Sequence, residues 1–173
     1  MDFTVFRPEV FEDLAHGRAD LVLSAKNVEF PWPLVTETIF DEEFVCAVAA
    51  ESAYKKRLTI EQYMAAEHIS ISIQGGVQTI PDKPLAAQGY RRRVAMSVPY
   101  FHAAMRSVVG TRLIATVPRR LALGEMHQPG IRLVAPPVEV APFGYAMTWH
   151  PRVNTDAAHV WLRETVRGMG KRL

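Results

Sequence analysis

The chain has 173 residues, 49% of them hydrophobic, which is enough for one domain or two small lobes with a sizeable core. Its 20 basic and 18 acidic residues leave a formal net charge of +2, which gives no strong electrostatic footprint for nucleic acid. The single cysteine, Cys46, excludes a disulfide framework within the chain and indicates a reducing compartment. Neither a membrane-spanning apolar run nor a signal-peptide pattern is present, so we expect a soluble, cytoplasmic protein.

The amino-terminal part of the chain alternates strand and helix patterns. Residues 3–6 predict a strand, Pro8 opens a helix that stops at Gly17, and residues 19–24 predict a buried parallel strand. Residues 38–50 form a long extended run, TIFDEEFVCAVAA, with a polar centre. We interpret this run as a strand that serves two lobes, apolar in each core and polar where it crosses between them.

The middle of the chain predicts a sheet covered by helices. Thr59 is the expected N-cap of a helix with Gln62 at the capping-box position, and residues 68–73 predict a further strand. Residues 85–122 then have the pattern helix, strand, helix, strand, helix. Strands and helices that alternate at this spacing imply a largely parallel sheet.

The carboxyl-terminal part predicts a short strand over residues 131–134 and a second long strand over residues 143–149. Asn154 is the expected cap of an amphipathic helix that runs to about Met169, with the apolar residues Ala158, Trp161, Leu162 and Val166 at helical spacing. The two long strands divide the chain into a discontinuous lobe, residues 1–40 with 146–173, and a continuous lobe, residues 41–145. Two lobes joined by two crossing strands form a hinged clamshell.

Small ligands bind at the carboxyl ends of parallel strands, so the loops after the strands hold the candidate ligand residues. Glycines there let backbone N–H groups approach a ligand, a helix N-terminus favours an anion, and aromatic side chains can flank a ring. Ordinary turns, core packing and surface solvation are the alternatives for these residues. The candidates are Phe6, Arg7, Ser24, Ser72, Gln74, Gly75, Gly76, Ser97, Tyr100 and Phe101.

Nothing in the sequence points to catalysis. The six histidines have no metal-ligand spacing, and GxSxG, P-loop and GxGxxG motifs are absent. Cys46 lies in an apolar run and is expected to be a buried hydrophobic residue, while Asp41, Glu42 and Glu43 are expected to be solvated hinge residues. The short basic clusters, such as residues 91–93, are expected on the surface. We therefore predict no enzyme, metal or cofactor.

Several segments carry a resemblance to a known family. They are LAHGRADLVLS with Leu14, Gly17 and Asp20, the crossing run that begins at PLVTETIFDEEFVCAV, VVGTRLIATVPRRLA, and FGYAMTWHPRVNTDAAHVWLRETV. In the third segment Gly110 matches the first family glycine and Arg112 replaces the second. On these motifs the chain resembles the effector-binding (substrate-binding) domain of a LysR-type transcriptional regulator. Within that family, residues 85–122, LAAQGYRRRVAMSVPYFHAAMRSVVGTRLIATVPRRLA, are most similar to the branch of nitroaromatic- and nodulation-type regulators.

The resemblance implies an α/β, type 2 periplasmic-binding-protein-like fold with two Rossmann-like lobes. It also implies that a small, aromatic or carboxylated effector binds in the cleft between the lobes and modulates transcription. The family forms dimers or tetramers and binds DNA through a helix-turn-helix domain that these residues do not contain.

The family's first strand and first helix also lack a counterpart, so the first lobe is expected to be incomplete, with unpaired backbone groups between residues 3–6 and 21–24. A solute-binding protein of a transport system and a truncated, non-functional remnant are the alternatives. An enzyme on the same scaffold is a further class, which the candidate loops do not favour.

Overall fold

The computed structural model describes residues 2–4, 6–7, 9–26, 30–72, 80–126 and 129–171. The chain divides into two compact units, and the chain passes between them at two places. Unit 1 comprises Met1–Glu42 with Phe143–Leu173, and unit 2 comprises Glu43–Pro142. Within the described ranges, no helix is both long enough and apolar enough to cross a membrane.

Unit 1 contains a three-stranded antiparallel sheet in the order β1-β8-β2. The strands are β1 (Val22–Ala25), β2 (Val35–Glu42) and β8 (Phe143–Trp149), and the helices are α1 (Val10–His16) and α6 (Ala157–Gly170). Helix α1 ends where predicted, at Gly17, whose φ of 73° is the left-handed conformation that favours glycine. Val10 and Leu14 of α1 pack with Val22 of β1 in a small core.

The strand predicted over residues 3–6 is wrong for the residues described there, none of which lies in a strand. Phe3 is exposed, whereas the Phe6 ring packs edge-on against Phe11, with centroids 6.0 Å apart. The Val10 N–H donates to the Arg7 carbonyl oxygen at 3.0 Å. These contacts pack Phe6 against α1 and lead the backbone directly into that helix.

Helix α6 begins and packs differently from the prediction. Its N-cap is Asp156, whose carboxylate accepts from the His159 N–H at 2.8 Å, while Asn154 instead accepts from Trp149 Nε1 at 2.7 Å. Trp161, on the predicted apolar face, is 64% exposed. The buried face holds His159 and Arg163 because both hydrogen-bond to main-chain carbonyl groups of unit 1.

Two glycines of α6 give a matched pair of stability predictions. A Cβ at Gly170 would overlap the Ile39 Cγ2 methyl and lie 3.5 Å from the Ile39 carbonyl oxygen, whereas nothing lies within 4 Å at Gly168. We expect Gly170→Ala to lower the free energy of unfolding by about 1–3 kcal/mol through overpacking. Gly168→Ala should raise it by up to about 1 kcal/mol, because alanine favours helix. Urea unfolding measures both, and equal effects would contradict the packing at Ile39.

Unit 2 contains a five-stranded mixed sheet in the order β5-β4-β6-β3-β7. The strands are β3 (Phe44–Ala49), β4 (Glu67–Ile71), β5 (Arg93–Val98), β6 (Ile114–Pro118) and β7 (Ile131–Val134). The helices are α2 (Ile60–Ala65), α3 (Asp82–Ala86), α4 (Phe101–Ser107) and α5 (Arg119–Gly124). The Thr59 and Gln62 capping box at α2 is confirmed.

Strand direction in unit 2 follows the connections. Strand β4 pairs in parallel with β5 and β6, and the intervening α3 and α4 supply the crossovers that parallel pairing needs. Strand β3 instead runs antiparallel to both β6 and β7, so the sheet is only partly parallel. The predicted extended run is two strands, β2 and β3, separated at Glu43, and Glu42 is buried rather than solvated.

Candidate ligand site

The carboxyl ends of β4 and β5 lie side by side in unit 2. Ile71 pairs with Val98, and the Ser72 N–H donates to the Val98 carbonyl oxygen at 3.0 Å. Ser97 is exposed near the end of β5, and Tyr100 follows it at the N-cap of α4. Register therefore places Ser72, Ser97 and Tyr100 at one edge of the sheet.

The two aromatic candidates at this edge have different surroundings. The Tyr100 side chain is 60% exposed, and its extended backbone, with φ −128° and ψ 138°, precedes the first turn of α4. Phe101 is partly buried and packs against the core of unit 2. Of the two rings, Tyr100 has the surface that a ligand can cover.

The predicted residues Gln74, Gly75 and Gly76 lie outside the described residues. The remaining candidates, Phe6, Arg7 and Ser24, belong to unit 1. Ligand contact at any of the candidate positions stays a prediction.

Arg7 makes an ion pair within its own unit. Its guanidinium donates to Asp13 Oδ2 at 2.6 Å, and Arg18 Nε donates to Asp13 Oδ1 at 2.7 Å. The hydrogen bonds from Arg18 and Arg7 lower the pKa of Asp13 below its ordinary value. Both arginine side chains are more than half exposed, so the pair lies at the surface and keeps part of the Arg7 charge accessible.

Ser24 lies on β1 opposite Ala146 of β8. It is only 7% exposed, and its Oγ has no hydrogen-bond partner among the described residues. A buried hydroxyl without a partner costs free energy, so its presence calls for an explanation other than stability.

A buried polar network in unit 2 was missed by the sequence analysis. Arg92, expected on the surface, has a side chain only 1% exposed and donates to both Asp82 oxygens, at 2.7 and 2.8 Å. His68 Nε2 contacts the Tyr63 carbonyl oxygen at 2.7 Å, while its Nδ1 is buried without a hydrogen-bond partner among the described residues. Burial first, and then the Arg92 charge, lower the pKa of His68 to about 4. These groups are inside the lobe and do not form a solvent-accessible site.

Cys46 is fully buried on β3 and its thiol contacts Thr116 Oγ1 at 3.7 Å. Burial raises the pKa of this thiol to about 12, so it stays protonated and is a poor nucleophile. In the part of the chain that the structure describes, no group of three or more His, Cys, Asp or Glu side chains could hold a metal ion.

A discontinuous unit and a continuous one, each built on its own sheet, are the organisation of an effector-binding domain with the type 2 periplasmic-binding-protein-like fold. The family model described as the LysR substrate binding domain matches residues 3–170. The chain belongs to this LysR substrate-binding family, and it is a regulatory domain of a transcriptional regulator.

Individual relatives agree with this assignment. Nodulation protein D 1 of Bradyrhizobium sp. (strain NC92) is 29% identical over 96% of this chain and 48% of its own length. The HTH-type transcriptional activator NagR of Ralstonia sp. is 27% identical over 88% and 51%. The regulatory domain of MexT from Pseudomonas aeruginosa has a TM-score of 0.79 and 28% identity over 91% and 76%. The chain spans about half the length of the curated relatives it matches.

Proposed function

We propose that this domain senses a small aromatic or carboxylated effector and that effector binding modulates transcription. The observation that carries the proposal is the shared edge of β4 and β5, at which Ser72, Ser97 and Tyr100 lie. Apolar rings combined with a few polar groups are typical of small-molecule binding sites. Membership of the effector-binding family supports the same conclusion.

Two residues at this edge, Tyr100 and Ser97, have direct roles in the proposal. The exposed Tyr100 ring stacks on an aromatic ligand, which removes apolar surface of both partners from water. Ser97 offers a hydroxyl that can donate to a carboxylate or phenolate oxygen. An effector that binds one arrangement of the protein better than another shifts the population toward it, which is the physical basis of sensing.

DNA binding and assembly into dimers or tetramers are also proposals for a longer protein that includes these residues. The helix-turn-helix domain that the resemblance implies would belong to another part of that longer protein. In that protein, the effector-dependent shift in this domain would alter the arrangement of the DNA-binding regions.

The proposal predicts that some aromatic acid or phenol stabilises the domain. A thermal-shift screen of such compounds should find a saturable rise in Tm, which at a ligand concentration of 100 Kd corresponds to about 2.7 kcal/mol. Tyr100→Ala should weaken binding of that compound by roughly five- to tenfold, since stacking on an aromatic side chain contributes about 1–1.5 kcal/mol. Isothermal titration calorimetry measures the change.

The matched control is Tyr90→Ala. Tyr90 is also a partly exposed tyrosine, but it precedes β5 and so lies toward the amino end of that strand. Tyr90→Ala should leave the affinity for the stabilising compound unchanged. A broad screen that yields no stabilising compound on folded protein would contradict the proposed function, and equal effects of the two variants would contradict the assignment of the edge.

A further inference from the structure

On one face of the unit 1 sheet, strand β8 carries two small residues, Gly144 and Ala146. Ala146 lies directly between Ser24 of β1 and Thr38 of β2, and directly opposite residues point to the same face of a sheet. We call the residues Ser24, Lys26, Thr38, Gly144 and Ala146 the β8 trough.

Because Gly144 has no side chain, the Lys26 side chain can pass over strand β8. The Lys26 N–H donates to the Gly144 carbonyl oxygen, which extends the pairing of β1 with β8 by one residue. A Cβ at Gly144 would lie 3.5 Å from Lys26 Cβ, 3.6 Å from Lys26 Cδ and 3.3 Å from the Thr38 methyl group. The missing side chain thus leaves the space in which the Lys26 stem runs over β8 toward β2.

The ammonium at the end of this stem has a weak partner. Lys26 Nζ donates to Thr38 Oγ1 at 3.4 Å, which is long for a charged hydrogen bond. Asp41 lies opposite Gly144 on β2, yet the ammonium bonds to the Thr38 hydroxyl and not to that carboxylate. Lys26 and Thr38 are both exposed, so an anion from solvent can reach them.

The second observation is the Ser24 hydroxyl. It is on the same face, nine-tenths buried, and without a hydrogen-bond partner among the described residues. At the next pair of residues on the same face, by contrast, Thr36 Oγ1 and Thr148 Oγ1 form a hydrogen bond of 3.1 Å with each other. The β8 trough therefore presents the Lys26 ammonium, the Thr38 hydroxyl that accepts a long hydrogen bond from it, and the Ser24 hydroxyl, which has no hydrogen-bond partner among the described residues.

We propose that Lys26, Thr38 and Ser24 form a carboxylate subsite of the effector-binding domain, contributed by unit 1. This inference rests on the proposed function and specifies the charge of the effector. A carboxylate oxygen accepts from the Lys26 ammonium in place of Thr38, and the hydroxyls of Thr38 and Ser24 donate to it. Phosphate would present similar acceptor oxygens, so it serves as a competing probe.

The test uses the purified chain with sodium benzoate and its neutral analogue benzamide at constant ionic strength, by calorimetric titration. Wild-type protein should bind benzoate at least ~10-fold more tightly than benzamide, because only benzoate carries the charge. Lys26→Met should reduce this preference to about twofold or less, whereas Lys83→Met, which removes a lysine of α3 in unit 2, should keep it. Inorganic phosphate should compete with benzoate for wild-type protein.

Two further variants separate the subsite from general effects. Ser24→Ala should weaken benzoate binding several-fold, while its urea midpoint stays equal to wild type or rises, because the hydroxyl makes no hydrogen bond to any described residue. Asp41→Asn should tighten benzoate, since it removes a nearby negative charge. Equal binding of benzoate and benzamide by wild-type protein, or an unchanged preference in Lys26→Met, would overturn the subsite and leave the proposed function standing. Absence of binding by both probes and by every compound of the aromatic screen would overturn the proposed function as well.

Discussion

Asp82→Ala is expected to lower the free energy of unfolding by about 3 kcal/mol or more, because it leaves a buried guanidinium without its counter-charge. The Arg92 side chain is 1% exposed and makes two hydrogen bonds to Asp82. Removing one partner of such a pair costs far more than the pair itself contributes, since the remaining charge stays desolvated. Urea unfolding at pH 7, followed by circular dichroism, measures the change.

The neighbouring arginine supplies a matched control. Arg93 pairs with Glu67 at 3.4 Å, but these side chains are 68% and 49% exposed. Glu67→Ala should therefore change the free energy of unfolding by less than about 1 kcal/mol. If Asp82→Ala does not fold, Asp82→Asn keeps an acceptor oxygen and should show an intermediate loss. A loss at Asp82 no larger than that at Glu67 would show that Arg92 is hydrated in solution.

Acid is expected to destabilise the protein through His68. Its pKa is lowered from 6.5 to about 4, chiefly by burial, so the folded state binds this proton more weakly than the unfolded state. The stabilising contribution is complete above pH 6.5 and is lost as the pH falls from 6.5 toward 4. At 1.36 kcal/mol per pH unit, the loss across this window is about 3 kcal/mol. Urea unfolding at several pH values from 7 to 4.5 measures it.

The variant His68→Gln isolates this effect from other titrating groups. Glutamine can still donate to the Tyr63 carbonyl oxygen but carries no titratable ring, so its stability should depend less steeply on pH in this window. His16→Gln, at an exposed histidine of α1, should retain the wild-type slope. Parallel pH profiles for wild type and His68→Gln would mean that the buried ring does not control acid stability.

Sequence patterns located most helices and strands because their signals are local. Gly17 ends α1, Thr59 and Gln62 cap α2, and the strands at residues 131–134 and 143–149 have the predicted bounds. For the two helices the deciding interactions come from neighbours along the chain, whereas for the two strands the local apolar pattern marks the segment that pairs in the sheet. The family resemblance, which depends on the same segments, is confirmed by the match over residues 3–170.

Sequence patterns gave wrong predictions where contacts between residues far apart in the chain determine which side chains are buried. The run Arg91-Arg92-Arg93 predicts three solvated side chains, but Arg92 is buried because its guanidinium pairs with Asp82. The predicted apolar face of helix α6 includes Trp161, yet His159 and Arg163 face the unit because main-chain carbonyl groups there accept their hydrogen bonds. Periodicity counts apolar residues and does not register polar groups with buried partners.

The candidate ligand residues were also predictable from the sequence only in part. Ser24, Ser97 and Tyr100 follow from strand ends, which sequence periodicity locates by itself. Lys26, Thr38 and Gly144 come together only through the pairing of β1 and β2 with β8, across more than a hundred residues. The sequence alone therefore determined the family and most of the helices and strands, whereas ligand contact in the loops that it singles out stays a prediction. The tertiary structure decided strand direction, the buried charges and the β8 trough, because these depend on free energies of contact between residues far apart in the chain.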